Sequence, residues 1–302
     1  MSILAVGSIA FDTIETPFGE VKDIVGGSLT YFAVAASYFT DVNLVAVVGR
    51  DFKEEHMQVF AGRRIDLQGV EHARGKTFRW GGRYSHNLNS RDTLFTELNV
   101  FEDFQPNLPE SYGQADIVFL GNMHPSLQIS VLDQVTTKRL VGMDSMNLWI
   151  EATPSELRDV LKRVDILKVD DSEARQLSGE HNLRKAAGVI QEMGPKMLVA
   201  TRGSHGSMLF HDSDIFAVPA YPLEDEVDPT GAGDSFAGGF FGYLAQRPKL
   251  DSAELRRAVI FGSVMGSFCV EDFGTRRLER LTYDEILDRY RAIKRLTHFD
   301  DI

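Results

Sequence analysis

A stretch of thirteen residues, DPTGAGDSFAGGF at Asp228–Phe240, has the composition of a site that handles an anion and a proton. Phe236, Phe240 and Leu244 recur at helical spacing, which places the Gly-Ala-Gly run at a predicted helix N-terminus. Unpaired N–H groups and the helix dipole favour an anion at such a position. Asp234 would stand beside that anion as a proton acceptor, although an aspartate that only caps a turn explains the same spacing.

Composition and charge restrict the class of protein. The chain has 302 residues, of which 43% are hydrophobic and 25% charged, and its formal net charge is −12. An acidic chain without clustered lysine and arginine is not expected to bind nucleic acid, although a local site can still take a nucleotide. The single cysteine, Cys269, allows no internal disulfide and is expected to be a buried apolar residue. We expect no membrane span, because no apolar run approaches the ~20 residues of a spanning helix, and we expect a reduced, cytoplasmic location.

Apolar runs that end in Gly, Asp or Asn alternate with segments of helical periodicity. The runs lie at residues 3–9, 42–49, 115–122, 139–147, 164–174 and 196–206. This alternation predicts one α/β domain over residues 1–302 with a mainly parallel sheet. In such sheets a ligand binds beyond the carboxyl ends of the strands, where the polar residues of these runs are expected.

Two segments, at about 13–25 and 76–102, depart from this alternation. The first is predicted to form a hairpin around Phe18, and both are predicted to be antiparallel strands outside the main sheet. Together they would form a small β-lid over the crevice, or else a surface excursion that only closes a sheet edge. Phe78 and Trp80 would cover either an apolar ligand or a second subunit, so a homodimer through the lid is a further expectation.

Three more motifs accompany the stretch at Asp228–Phe240. Asp12 follows the first predicted strand, Gly26 and Gly27 follow the predicted hairpin, and TRGSHG occupies residues 201–206. In this order and at these spacings the motifs resemble those of the ribokinase-like (PfkB) carbohydrate kinase family over nearly the whole chain. The resemblance implies a ribokinase-like three-layer α/β/α fold. It also implies transfer of the γ-phosphoryl group of ATP, with Mg²⁺, to a hydroxyl of a sugar or sugar-like molecule.

The resemblance implies a role for each residue of the glycine-rich stretch. Asp234 would be the general base that accepts the proton of the attacking hydroxyl. The backbone N–H groups of Gly231, Ala232 and Gly233 would form the anion hole for the transferred phosphoryl group. The two later glycines of the stretch are expected only to allow close helix packing.

Residues on the acceptor side are implied in the same way. Asp12 matches the family's sugar-binding aspartate, and Gly26 and Gly27 match its di-glycine beneath the substrate. Tyr31 stands where the family often has Asn, which disfavours a simple ribose or fructose substrate. Its ring would stack on a base or ring substituent, or else belong to the core. Arg91 in the lid would carry positive charge onto the site, or else form an exposed salt bridge.

On the nucleotide side, Asp170 and Glu173 take the places of the family's Asn-x-x-Glu pair. Glu173 would order water around Mg²⁺, or both acids would only cap the next helix. Thr201, Gly203 and Gly206 match a Thr-x-Gly-x-x-Gly turn near the nucleotide phosphates.

Three residues have more open roles. Asp228 and Thr230 match positions that hold a monovalent cation, such as K⁺, beside the anion hole. Asn147, at the end of a predicted strand, would contact phosphate or substrate, or only form a turn.

Three other functions fit part of the pattern. A nucleoside kinase of the same superfamily is favoured by Tyr31 and the aromatic lid, so the acceptor would be a sugar, sugar acid, polyol or nucleoside. A non-catalytic protein that senses nucleotides or sugars is disfavoured by the intact Asp234, because a sensor needs no base. A Rossmann dehydrogenase is disfavoured because no Gly-x-Gly-x-x-Gly turn follows the first strand.

Overall fold

A computed structural model describes residues 1–136, 138–298 and 300. The strands in these ranges are β1 Ser2–Val6, β2 Ala10–Thr16, β3 Gly19–Gly26, β4 Asp41–Val48, β5 Ile65–His72, β6 Phe78–Tyr84, β7 Arg91–Glu97, β8 Ile117–Leu120, β9 Leu140–Asp144, β10 Ile166–Asp170, β11 Met197–Thr201, β12 Ser207–His211 and β13 Asp214–Val218. The α-helices are α1 Ser28–Ala36, α2 Glu54–Met57, α3 Pro125–Gln134, α4 Asn147–Ala152, α5 Pro154–Leu161, α6 Asp171–Ser178, α7 Leu183–Glu192, α8 Ala232–Ala245, α9 Ser252–Cys269, α10 Arg276–Glu279 and α11 Tyr283–Thr297. Short 3-10 turns lie at Gln58–Phe60, Asn99–Phe101, Glu110–Gln114 and Gly203–His205.

Nine of these strands form one sheet in the order β13-β12-β11-β10-β9-β8-β1-β4-β5. From β11 to β5 every pair of neighbours is parallel, whereas β12 and β13 add an antiparallel edge. Central strands such as β8 are buried at every position, because helices cover both faces of the sheet. The predicted mainly parallel sheet and three-layer architecture are therefore confirmed.

The helices form two layers with separate apolar cores. Residues of α1, α8, α9 and α11 pack on one face of the sheet, and residues of α3, α5 and α7 pack on the other. Helix α8 approaches its neighbours through Gly238 and Gly239, where an added Cβ would lie 2.4 Å from the Phe32 carbonyl oxygen and 2.6 Å from that of Phe261. The close helix packing expected of these two glycines is confirmed.

The second sheet, which we call the lid, has four strands in the order β3-β2-β6-β7. Strands β2 and β3 form the predicted hairpin around Phe18, and β6 and β7 pair antiparallel. The prediction of antiparallel strands is wrong where the two segments meet, because β2 and β6 pair in parallel. The outer strand β7 is exposed at all seven residues, and a pairing of two copies through the lid stays a prediction.

Two predicted strand boundaries are wrong, because both strands end before the polar residues predicted at their ends. The first strand ends at Val6, and Asp12 lies within lid strand β2, not at the end of a sheet strand. Strand β9 ends at Asp144, and Asn147 begins α4. Helices with a buried face are as apolar as buried strands, so the sequence pattern does not mark the change. None of the helices within the described ranges has the length and low polarity needed to cross a membrane.

Candidate active site

A cavity of about 750 Å³ lies between the carboxyl ends of the parallel strands and the lid. Of the residues predicted for the site, it is lined by Asp12, Gly27, Tyr31, Arg91, Asn147, Asp170, Glu173, Thr201, Gly203, Gly206, Thr230, Gly231, Ala232, Gly233 and Asp234. The other two, Gly26 and Asp228, are buried just behind the lining residues Asp12 and Thr230. The fold thus brings residues from both ends of the chain to one cavity.

The glycine-rich stretch forms the start of α8. Gly231 is its N-terminal cap with a φ of 75°, a left-handed conformation that glycine adopts without strain. The Ala232 N–H donates to the Pro229 carbonyl oxygen at 3.2 Å, so that group already has a partner. The N–H groups of Gly233 and Asp234 belong to the first helical turn, where no intrahelical acceptor exists. The geometry therefore favours an anion beside Gly233 more than beside Ala232.

A residue that the sequence interpretation missed, Lys168, lies against this turn. Its Nζ donates to Asp144 Oδ2 at 2.9 Å, and both side chains are less than a tenth exposed. A Cβ added to Gly233 would lie 2.8 Å from the Lys168 Nζ, so the ammonium group contacts the backbone that would face an anion. A lysine within the otherwise apolar run ILKV was the available signal, because an unpaired lysine is rarely buried.

Burial and neighbouring charges set the protonation of Asp234. Its pKa is raised to about 7, chiefly by burial and then by the negative charge of Asp144. The positive charges of Lys168 and Arg91 act in the opposite direction, and the charge of Asp12 adds to the increase. A carboxyl group with a pKa near neutrality is suited to accept a proton from a hydroxyl.

The di-glycine lets Asp12 approach the backbone that precedes α1. Asp12 Oδ2 accepts the Gly27 N–H at 3.3 Å, and a Cβ added to Gly26 would lie only 1.9 Å from that oxygen. Burial, with the charge of Asp228 adding to it, raises the pKa of Asp12 to about 7. The carboxyl group keeps one oxygen free of this contact at the cavity, where it can bind hydroxyl groups.

Tyr31 and Arg91 occupy different environments. Tyr31 is 1% exposed and its ring packs against Gly231, where an added Cβ would lie 2.3 Å from ring atoms. Of the two predicted roles, the packed position favours the core over stacking on a ligand. Arg91 is exposed on β7, and its guanidinium carbon lies 5.0 Å from the centre of the Trp80 ring. It faces the cavity from the lid.

Asp170 and Glu173 form the helix cap that was predicted as their alternative role. Asp170 Oδ1 accepts the Glu173 N–H at 2.7 Å, and Glu173 Oε2 accepts the Asp170 N–H at 2.9 Å. Burial, then the charges of Asp170 and Asp144, raise the pKa of Glu173 to about 8. Because both acids also line the cavity, the capping role does not remove them from the site.

The turn after β11, predicted to lie near the nucleotide phosphates, has open backbone at the cavity. Gly203 has a φ of 52°, and no atom lies within 4 Å of where its Cβ would be. Gly206 has a φ of 84° and packs on the Val218 carbonyl oxygen, so its role in the turn is conformational. Thr201 ends β11, and its hydroxyl donates to the Val169 carbonyl oxygen at 3.4 Å.

Asp228 and Thr230 are engaged with protein groups. Asp228 is fully buried and accepts the N–H groups of Thr230 at 2.8 Å and Gly274 at 3.2 Å. Cys269 is buried as expected, and its thiol donates to the Thr230 carbonyl oxygen at 3.3 Å. Within the described ranges, no group of three or more His, Cys, Asp or Glu side chains could hold a metal ion. The monovalent-cation role of Asp228 and Thr230 stays a prediction.

In addition to Asn147, the cavity is lined by aromatic and amide side chains that the sequence interpretation did not select. Asn147 is exposed as the first residue of α4. Trp149, two residues later, donates from Nε1 to Asn122 Oδ1 at 2.8 Å. Asn122 follows β8 and Trp149 lies in α4, which follows the neighbouring strand β9, and both line the cavity. A tryptophan just after a strand end was the only signal in the sequence.

Comparisons with known proteins agree with this architecture. A family model described as pfkB family carbohydrate kinase matches residues 3–280. The cytidine kinase of Thermococcus kodakarensis is 31% identical over 256 residues, which cover 82% of this chain and 90% of that protein.

Two solved structures share the fold at low sequence identity. The nucleoside kinase of Burkholderia thailandensis, in complex with ADP-inosine, has a TM-score of 0.79 at 18% identity and covers 96% of this chain and 95% of that one. A putative ribokinase II of E. coli, in complex with ATP and Mg²⁺, has a TM-score of 0.76 at 19% identity, with 97% and 99% covered. The chain belongs to the pfkB family of carbohydrate kinases, phosphotransferases that act on hydroxyl groups.

Proposed function

We propose that the protein transfers the γ-phosphoryl group of MgATP to a hydroxyl of a nucleoside. The observation that carries the chemistry is the position of Asp234. Its carboxyl group, with a pKa near 7, lies at the open N-terminal turn of α8 beside the Lys168 ammonium group. A proton acceptor next to an anion-binding turn is the arrangement that phosphoryl transfer to a hydroxyl requires.

The residues present fit ATP and Mg²⁺. The first turn of α8 and the Lys168 ammonium group can bind phosphate oxygens, and the open backbone at Gly203 leaves space for a phosphate chain. Burial and the negative charges of Asp170 and Asp144 raise the pKa of Glu173, and a bound Mg²⁺ would favour its ionised form. When bound, ATP supplies the phosphoryl group and Mg²⁺ neutralises part of its charge.

The chain's own groups would then act in defined roles. Asp12 orients the acceptor by accepting hydroxyl hydrogen bonds, and Asp234 accepts the proton of the attacking hydroxyl. The N–H groups at Gly233 and Lys168 stabilise negative charge on the transferred group. Arg91 contributes positive charge from the lid, in keeping with its effect on the pKa of Asp234.

The acceptor side of the cavity supports a nucleoside over a free sugar. Aromatic rings face the cavity from the lid and from the strand ends: Phe78, Trp80, Tyr84, Phe101 and Trp149. Such surfaces bind a planar base by stacking and apolar contact. The similarity to the cytidine kinase of Thermococcus kodakarensis supports the same class. A sugar, sugar acid or polyol is the second candidate, because Asp12 can bind the hydroxyl groups of those molecules equally well.

A coupled ADP-release assay tests the proposal. Nucleosides, sugars, sugar acids and polyols are each offered with ATP and Mg²⁺, with the Asp234→Asn variant as a control for contaminating kinases. We expect the highest kcat/KM with a nucleoside. A higher kcat/KM with a free sugar would mean that the acceptor is a sugar and not a nucleoside. No ADP release with any compound would indicate a binding protein without kinase activity.

The pH dependence provides a second test. The general base must be ionised, so kcat/KM should fall about tenfold for each pH unit below about 7. Asp12, whose pKa is also about 7, would steepen the fall if it must be ionised to bind the acceptor. A flat profile between pH 5 and 7 would contradict the role of Asp234.

A further inference from the structure

One hydrogen bond joins the lid to the loop that precedes α8. The Thr230 hydroxyl donates to the hydroxyl oxygen of Tyr84 at 3.1 Å. Thr230 is 8% exposed and directly precedes Gly231, whereas Tyr84 is the last residue of lid strand β6. We call this bond the Tyr84–Thr230 contact. It connects the two walls of the cavity, and neither the general base nor the acceptor-binding carboxylate takes part in it.

On the lid side, the contact acts on the strand that carries the site's exposed arginine. Tyr84 is the direct cross-strand partner of Arg91 in the β6–β7 pair. The Arg91 guanidinium group lies over Trp80, and its positive charge opposes part of the rise in the pKa of both Asp12 and Asp234. Restraining Tyr84 therefore restrains the strand position from which Arg91 extends toward the two carboxyl groups.

On the other side, the loop that precedes α8 is held by several contacts, so Thr230 cannot move without its neighbours. The Thr230 N–H donates to Asp228 at 2.8 Å, and its carbonyl oxygen accepts from the Cys269 thiol at 3.3 Å. The next residue, Gly231, packs against the buried ring of Tyr31. A force on the Thr230 side chain would therefore reach the first turn of α8, where Gly231 is the helix cap.

We propose that the Tyr84–Thr230 contact couples the position of the lid to the geometry of the anion-binding turn. Tyr84 and Thr230 are positioning residues, because their role acts through Arg91 and the α8 turn and not through the reacting atoms. Through this coupling, the first turn of α8 and Arg91 reach the positions needed for phosphoryl transfer together, when the lid lies over the acceptor. The inference rests on the proposed kinase function and gives the hydroxyl of the half-buried Tyr84 a role at this loop.

The first test is a double-mutant cycle with Tyr84→Phe and Thr230→Val, which each remove one hydroxyl and keep the side-chain size. Each single variant should lower kcat by about 3–10-fold, the effect of losing one neutral hydrogen bond. The double variant should lose no more than the larger single effect, because both changes remove the same bond. The KM for ATP should change by less than about twofold. Additive losses in kcat, or an unchanged kcat in Tyr84→Phe, would overturn the proposal.

Tyr38→Phe is the matched control. The Tyr38 hydroxyl donates to the carbonyl oxygens of Leu278 at 2.6 Å and Leu281 at 3.0 Å, and none of these residues lines the cavity. This variant also loses a tyrosine hydroxyl, so its Tm reports the general cost of that change. Its kcat should equal that of the wild type, and an equal loss in kcat would assign the Tyr84 effect to stability.

Hydrogen exchange separates this inference from the proposed function, because it needs no substrate. In both Tyr84→Phe and Thr230→Val, amides of β6–β7 and of residues 231–235 should exchange faster together, and in Tyr38→Phe they should not. If the wild type phosphorylates no compound, the proposed function fails while this exchange pattern still supports the contact. Faster exchange in the lid alone would show that the loop does not respond, and would overturn the coupling.

Discussion

The inner wall of the cavity, formed by the first turn of α8 and the end of β10, is backed by buried residues of the same elements, whereas the lid wall is a thin sheet. From Ser235 to Ala245, α8 is buried at every residue, and Lys168 in β10 is held by Asp144. The lid's outer strand β7 is exposed along its whole length. Under the proposed function, the core would fix the groups that transfer the phosphoryl group, and the lid would determine which acceptor is held against them.

The largest effect should come from the inner wall. We predict that Asp234→Asn lowers kcat by about 10²–10⁴-fold, because the amide cannot accept the proton of the attacking hydroxyl. Affinity for ATP, measured by calorimetry, should remain within about threefold of the wild type because the α8 turn is unchanged. A kcat within tenfold of the wild-type value would show that Asp234 is not the general base.

The second prediction asks whether Lys168 acts in transfer or only in packing. Lys168→Met should lower kcat by about 10–100-fold through loss of a positive charge beside Gly233. It should also lower Tm, because Asp144 would be left buried without its partner.

A second variant separates the two effects. Lys168→Met combined with Asp144→Asn should recover most of the lost Tm but not kcat, as measured by calorimetry and steady-state kinetics. Lys162→Met is a control, since Lys162 is 65% exposed in a surface ion pair. Recovery of kcat in the combined variant would make Lys168 a structural residue.

The same difference between the walls determines what the sequence could predict. The α8 turn follows from local spacing, because glycines, a carboxylate and a helix pattern lie within thirteen residues at Asp228–Phe240. Lys168 was missed because its partner Asp144 lies on another strand, and because its apolar neighbours predict only a buried strand. The Tyr84–Thr230 contact joins residues 146 positions apart, and no local sequence pattern predicts a contact between them.

Boundaries were the other weakness of the sequence interpretation. Asn147 was predicted at a strand end, yet it begins a helix, because Asp, Ser and Asn occur alike at strand ends, in turns and at helix starts. Asp170 and Glu173 fit two roles in the sequence, and the structure shows the cap while leaving both acids at the cavity. Spacing can place such residues near a site, but only the three-dimensional contacts show what else they bind.

A smaller effect, on binding rather than turnover, is expected from the lid wall. Trp80→Ala removes an aromatic surface and the ring beneath Arg91. We predict that the KM for the acceptor rises about tenfold while kcat stays within about threefold, because both the α8 turn and the Tyr84–Thr230 contact keep their residues. Phe18→Ala is the control, since Phe18 is 59% exposed at the hairpin tip and does not line the cavity. A large fall in kcat without a change in KM would contradict the division between the walls.

The smallest effect concerns stability and follows from the raised pKa of Asp234. The folded pKa is about 7 and the ordinary value is 3.8, so the native state binds more protons than the unfolded state between these pH values. The carboxyl group therefore costs no stability below about pH 4. Its cost grows as the pH rises, and it is complete above about pH 7.

Asp234→Asn should consequently stabilise the protein at pH 8 and leave it unchanged at pH 4. We expect a gain of about 1–3 kcal/mol at pH 8, seen as a rise in Tm of about 2–6 °C by calorimetry. The exposed Asp103 provides the control, and Asp103→Asn should show no such dependence on pH. An equal gain at both pH values would mean that the amide improves packing and that the charge of Asp234 is not the cause. A gain confined to high pH, in a variant that has lost turnover, would show that the inner wall holds its general base at a cost to stability.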